Sequence, residues 1–192
     1  MTLGVPGYTS PMRAVWLEVP HAFLEERARH GHDRKDEIWE GELHMVPPPT
    51  YAHERVTFDL MFALKRIADQ RGLRVHGPTT GLFAAKDNYR IPDITLFRDG
   101  HASEHGLTSA ELVVEVTSPN DESRKKLGFY AALGVGEVWL VEPATRIVEI
   151  LTLAAGTYIA ARTGFSPALG ITLERVVGPK LRIHAGDETI DV

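Results

Sequence analysis

Cysteine is absent from all 192 residues. Disulfides and thiolate-held zinc are therefore excluded, and any metal must be bound by carboxylates, carbonyls, histidine or water. Oxygen ligands of that kind favour magnesium, with manganese as the alternative. No apolar run approaches the roughly 18 residues of a membrane span, and the first residues lack the basic-then-apolar order of a secretion signal. The expectation is a soluble, cytoplasmic protein with no membrane partner. Positive charge is not in excess either. The 21 Lys and Arg against 26 Asp and Glu leave a net charge of -5, which works against non-specific adhesion to polyanions but allows a local basic patch beside a divalent ion. Aromatic residues are 8% of the chain, and no basic, ring-rich platform for stacking bases is evident.

Hydrophobic residues make up 43% of the sequence, enough for one core at this length. Met1 to Pro20 reads as a loose arm and His21 to Arg29 as a short helix stopped by Gly31. Residues 1–35 are therefore set apart from a domain over 36–175, with 176–192 expected as an extended or stranded tail. Asp36 to Val46 reads as a hairpin turning near Glu40-Gly41. Thr50 is the expected cap of a long helix in which Val56, Leu60, Leu64 and Ile67 recur at helical spacing until Gly72. Leu73 to Phe97 reads as a strand meander around Pro92, and Arg98 to Ser109 as loop. A helix from Ser118 through Leu133 joins two apolar strands, 111–118 and 137–142, which implies a parallel crossover. Arg146 to Ile159 reads as a hairpin turning at Ala154-Ala-Gly156. The fold class is α/β, a mixed central sheet flanked by helices.

Glu115 stands in an otherwise apolar strand, Glu111-Leu-Val-Val-Glu-Val-Thr-Ser118. Alternation puts Leu112, Val114 and Val116 on one face and Val113, Glu115 and Thr117 on the other. A buried carboxylate must be protonated or matched by a cation. Asp93, in Ile91-Pro-Asp93, precedes a neighbouring strand and can approach it. Together with the backbone carbonyl of Val116 these two side chains supply the hard oxygens that magnesium accepts while leaving positions for water and phosphate. Lys126, one helical turn before Tyr130, can reach back over the pair and support charge on a phosphoryl transition state.

The ordered set Ile91-Pro-Asp93, Glu115-Val-Thr-Ser-Pro119, Lys126-Leu-Gly-Phe-Tyr130 and Gly134-Val-Gly-Glu-Val-Trp-Leu-Val-Glu-Pro143 resembles the Uma-type family of endonucleases, within the PD-(D/E)XK restriction-endonuclease-like superfamily. The likeness runs from Trp39-Glu-Gly-Glu-Leu43 through His53 to Ser166-Pro-Ala-Leu-Gly170. It implies a restriction-endonuclease-like fold, Asp93 and Glu115 as metal ligands, Lys126 as the active-site lysine, and Glu42 and His53 close to the metal. One departure from the superfamily is Thr117, which stands two after Glu115 where the signature has lysine. Lys126 on the following helix is the expected substitute, with adjacent Lys125 as the rival.

The same residues have plainer uses. Asp93 can cap a turn after Pro92, and Glu115 can pair with Lys126 or Arg90 without a metal. Tyr130 is expected to pack with its hydroxyl satisfied, while His101 and His105 sit in glycine-bearing loop and are read as exposed. Trp139 is read as core or sheet-edge packing, with a homodimer as an alternative. The leading expectation is a magnesium-dependent endonuclease with DNA as partner. Its rivals are a nuclease-fold domain that binds nucleic acid or protein without cutting, and a hydrolase of smaller phosphorylated substrates.

Overall fold

A computed structural model describes residues 19–118, 121–161 and 163–192. Helix α1 is His21–Arg29. Strands β1 (Glu37–Trp39) and β2 (Glu42–His44) form the expected hairpin, with Glu40 and Gly41 both at positive φ, 52° and 89°. A two-residue turn of that kind follows the twist of its strands. Helix α2 is Tyr51–Asp69, and the Thr50 side chain accepts a hydrogen bond from the His53 N–H at 3.3 Å, as a capping residue does. Then come β3 (Arg74–His76), β4 (Leu82–Ala85), β5 (Asn88–Arg90), β6 (Ile94–Phe97), the short β7 (Ala102–Ser103) and β8 (Gly106–Leu107), and β9 (Leu112–Val116). A 3-10 turn, Ser123–Lys126, leads into α3 (Leu127–Ala132). The last strands are β10 (Glu137–Val141), β11 (Val148–Ala154), β12 (Thr157–Ala160), β13 (Phe165–Ser166), β14 (Ile171–Val176), β15 (Lys180–Ala185) and β16 (Glu188–Asp191).

The central sheet is mixed, ordered β12-β11-β10-β9-β6-β3. Within it β9 and β10 run parallel, and the crossover between them is the 3-10 turn with α3. Helices cover both faces. Val56, Leu60 and Leu64 of α2 meet Leu112, Val114, Val116 and Trp139, whereas Tyr130 of α3 joins Val113, Val138 and Leu140 on the opposite side. The alternation expected for β9 therefore holds. The outer face of α2 exposes Tyr51, Phe58 and Phe62, but its cations are neutralised in place, Arg55 by Asp59 and Lys65 by Asp69.

Three expectations need correction. The meander over 73–97 divides between sheets: β3 pairs with β6 in the central sheet, while β4 and β5 join a second sheet ordered β2-β1-β5-β4-β8-β7. The break falls at Ile91-Pro92, where proline has no N–H to continue a ladder. The helix after Glu115 is also shorter than its periodicity suggests. The Asp121 carboxylate accepts from the N–H groups of Ser118 and Ser123 at 3.1 and 2.7 Å, a local turn that competes with helix, and regular helix starts only at Leu127. Pro119 and Asn120, within the expected start, lie outside the described residues. Finally, of the two placements expected for Trp139 the core one holds and the sheet-edge one falls, because β10 lies between β9 and β11 and the indole is fully buried.

The expected boundary between 175 and 176 falls inside β14, whose Arg175 and Val176 pair with Leu181 and Lys180 of β15. Leu181 and Ile183 then enter the same apolar cluster as Trp139. Ile183→Val is expected to cost about 1 kcal/mol through one lost buried methylene. Tryptophan fluorescence and far-UV dichroism should record that loss in one shared unfolding transition, and two separated transitions would set the last strands apart from the core.

Candidate active site

Antiparallel pairing of β6 with β9 sets Ile94 against Val114, and one further step in that register sets Asp93 opposite Glu115. The Asp93 Oδ2 atom accepts from the Val116 N–H at 2.8 Å and lies 3.2 Å from His53 Nε2 in the first turn of α2. Its other oxygen takes no hydrogen bond from the described protein. Glu115, 4% exposed, faces away from α2. Lys126 Nζ donates to its two oxygens at 3.1 and 3.3 Å, and Tyr130 donates its hydroxyl to Oε1. Asp93, Glu115 and Lys126, expected from the sequence pattern, stand in one cluster with His53, which the family resemblance implies. Lys125 points elsewhere and pairs with Glu122, a result of the roughly 120° turn per residue of a 3-10 helix. Thr117, in the signature's lysine position, donates to the Val141 carbonyl at 3.2 Å.

Glu42 does not join them. It is exposed, and the carboxylate that reaches Lys126 is Glu37, 2% exposed, with Oε1 accepting from Lys126 Nζ and from the Ile91 N–H, each at 2.8 Å. Oε2 of Glu37 accepts from the Trp39 indole at 2.7 Å. In the hairpin Glu37 faces His44 and Trp39 faces Glu42, so all four share one face. Glu42 is the member beside the turn, further out. The available signal was the i, i+2 placement of Glu37 with Trp39, which puts a carboxylate next to an indole donor on one side of a strand.

Charge in the cluster is unbalanced. Three buried carboxylates, Glu37, Asp93 and Glu115, face the single ammonium of Lys126, with His53 at the margin. Burial raises the Glu115 carboxyl from 4.5 to about 7; Lys126 opposes this, and the charges of Asp93 and Glu37 add to it. Lys126 stays an ammonium: burial acts against its charge, but Glu115 and Glu37 more than offset that. His53 is likewise raised, with burial opposing and the Asp93 contact dominating. In metal-free protein a raised carboxyl binds its proton more tightly in the folded state. Its stabilising contribution is full below pH 4.5 and lost as pH rises through about 7, a span worth ~3 kcal/mol. The urea midpoint in EDTA should therefore fall as pH rises across that window. His53 adds to the fall with the same sign. An unchanging midpoint would mean that Glu115 titrates as an ordinary surface acid.

Among the described residues no group of three or more His, Asp and Glu side chains is arranged to hold a metal alone. Two carboxylates completed by backbone, water and phosphate are nevertheless a usual magnesium set. The unbonded oxygen of Asp93 and the surplus negative charge suit a hard cation. Two surface cavities lie elsewhere: one of 410 Å³ is bordered by His101, Glu111 and Pro167, and one of 280 Å³ by Thr117, Arg124 and Glu149. His105 is exposed at the β7–β8 turn, and His101 lies 3.7 Å from Glu111.

A mixed sheet carrying paired carboxylates and a lysine on its parallel crossover is a restriction-endonuclease-like arrangement. The family profile described as "Uma2: Putative restriction endonuclease" matches residues 22–184, and the chain belongs to that family. Among solved structures it is similar to a "putative nuclease belonging to DUF820" from Anabaena variabilis ATCC 29413, with a TM-score of 0.58 and 18% identity over 72% of this chain and 84% of that one. At that identity the likeness is one of fold. No curated protein matches the chain. Among the described residues no helix is long and apolar enough to cross a membrane.

Proposed function

We propose that the protein is a divalent-metal-dependent endonuclease that hydrolyses phosphodiester bonds in DNA. The observation carrying this reading is the placement of buried Asp93 and Glu115 at facing positions of adjacent strands, with Lys126 bound to Glu115. Restriction-endonuclease-like families generally use divalent metals. Asp93, Glu115 and the Val116 carbonyl would hold the ion, magnesium or manganese. When bound, such an ion lowers the pKa of water and neutralises charge on a phosphoryl oxygen.

The chain's own groups have separable tasks. The Val116 N–H and His53 fix Oδ2 of Asp93, which turns Oδ1 towards a ligand. Glu37 gives Lys126 a second anchor at 2.8 Å, so the ammonium stays in place when Glu115 is engaged by another cation. From there it offers positive charge to a phosphoryl group whose own charge grows in the transition state. Tyr130, fully buried, steadies Glu115 rather than meeting substrate.

A second reading, a nuclease-fold domain that binds without cutting, draws on the fact that Lys126 and Tyr130 already satisfy Glu115. Incubation of the purified protein with supercoiled, linear and single-stranded DNA, with magnesium or manganese and beside Glu115→Gln, separates the two. Cleavage that needs the ion and vanishes in the variant supports the nuclease. Absence of divalent-dependent cleavage on all three substrates supports the binding domain. Equal residual cleavage in both proteins marks a contaminant.

A further inference from the structure

Arg90 closes β5 and is 4% exposed. Its guanidinium lies between two rings, 4.5 Å from the centroid of Trp39 and 4.2 Å from that of Phe129, so both flat faces are covered and only in-plane approach remains. One end is spoken for: Nη1 donates to the carbonyls of Ile38 and Tyr89 and to the Asn88 side chain at 2.9 to 3.0 Å. The other edge is not. Nε is buried with no acceptor, and Nη2 has no acceptor among the described residues.

Three other arginines of this chain show what that edge normally does. Arg27 holds Asp36, Arg74 holds Asp99 and Arg182 holds Asp191, each through Nε and Nη2 together. These forks are the geometry in which a planar guanidinium takes a carboxylate or phosphate. Arg90 keeps the same fork without an oxyanion although burial disfavours its charge, and an unsatisfied buried donor is a costly feature that calls for a reason. Its surroundings supply one. The ring on one side, Trp39, donates to Glu37, and the ring on the other, Phe129, precedes Tyr130, which donates to Glu115. Glu37 and Tyr130 also act electrostatically on the guanidinium, so the unpartnered fork borders the carboxylate–lysine cluster.

We propose that Arg90 forms an oxyanion site whose Nε/Nη2 edge takes a phosphate group of the substrate backbone. The choice of phosphate over another oxyanion rests on the phosphodiester reading of the adjacent cluster; the presence of an oxyanion site does not. Arg90 then works as a binding residue that sets where the strand lies. Lysine in its place would keep the charge and lose the fork.

The test uses the intact protein in EDTA, so that no divalent ion can carry the anion. The side-chain Nε–H resonance of Arg90, assigned through its own carbons, is followed by NMR during titration with inorganic phosphate, with a 5′-phosphorylated thymidine dinucleotide, and with acetate at matched ionic strength. The expected result is a saturable shift with both phosphates, a weaker response to acetate, and, read in both proteins from the backbone amide resonances of Ile38 and Tyr89 beside the side chain, phosphate affinity lowered about tenfold in Arg90→Lys. Tighter binding of the dinucleotide than of free phosphate points to a strand, and the reverse to a free anion, which would overturn the assignment to substrate backbone. A resonance unmoved by either phosphate overturns the site outright, leaving Arg90 as a packing element between two rings. A response to acetate equal to that for phosphate overturns the choice of phosphate. If the resonance shifts while DNA is never cut, the oxyanion site stands and the nuclease reading falls. If DNA is cut and the resonance stays put, the reverse holds.

Discussion

Glu115→Gln is expected to lower divalent-dependent DNA cleavage by about 10²- to 10⁴-fold, because a metal ligand contributes several kcal/mol of charge stabilisation and each 1.4 kcal/mol is tenfold in rate. The fold should survive the change. Glutamine has the shape of the protonated acid, and burial already pushes this carboxyl up to about 7, so the amide suits a site that resists the ionised form. Its oxygen can still accept from Lys126. In EDTA above neutral pH the variant should be at least as stable as the parent, and its urea midpoint should fall less than the parent's, with only the His53 contribution left. Cleavage rates on supercoiled DNA and denaturation at two pH values check both halves. A variant that unfolds would show that the carboxylate is needed for structure, and one that still cuts would remove Glu115 from the chemistry.

Lys126→Met is expected to destabilise the protein by about 3–5 kcal/mol at neutral pH, since it leaves buried carboxylates without their cation. The ammonium is 12% exposed and lies within 3.1 Å of both Glu37 and Glu115. Methionine fills similar space, so the loss is electrostatic rather than steric. Combining it with Glu115→Gln should recover part of the cost, because one of the stranded charges is gone, and the recovered part is the coupling energy of the pair. Glu37 keeps the recovery incomplete. Equilibrium urea curves of the four proteins in the cycle supply the numbers. A single-variant cost below about 1 kcal/mol, the range of a surface pair, would mean that water already does the work assigned to Lys126.

How much of this was readable beforehand depends on how local each signal was. Helix α2 carries its own instructions in Thr50 and the Val56, Leu60, Leu64, Ile67 repeat, and it formed where those placed it. Strand β9 announced its two faces by alternation, and Glu115 stood out because it broke the apolar pattern. Lys126 was preferred to Lys125 from its spacing to Tyr130, a one-turn relation. Glu37 is not legible as a site residue because its partner lies 89 residues away, and nothing in Glu37-Ile-Trp39 states which side of the hairpin will be covered. The sheet to which β4 and β5 belong was hidden for the same reason: pairing with β1 and β8 is settled by the folded chain, not by neighbours in sequence. The pairing of Leu181 and Ile183 with β14 was likewise invisible to a window-sized reading.

The bridge from Glu37 to Lys126 ties a strand of the second sheet to the crossover of the central sheet, and these two sheets share no strand. During synthesis the hairpin emerges early, but its lysine leaves the ribosome only after three of the six strands of the central sheet have been made, and closing so wide a loop is slow. A growing or half-folded chain therefore has no assembled set of acids and ammonium until both sheets have docked.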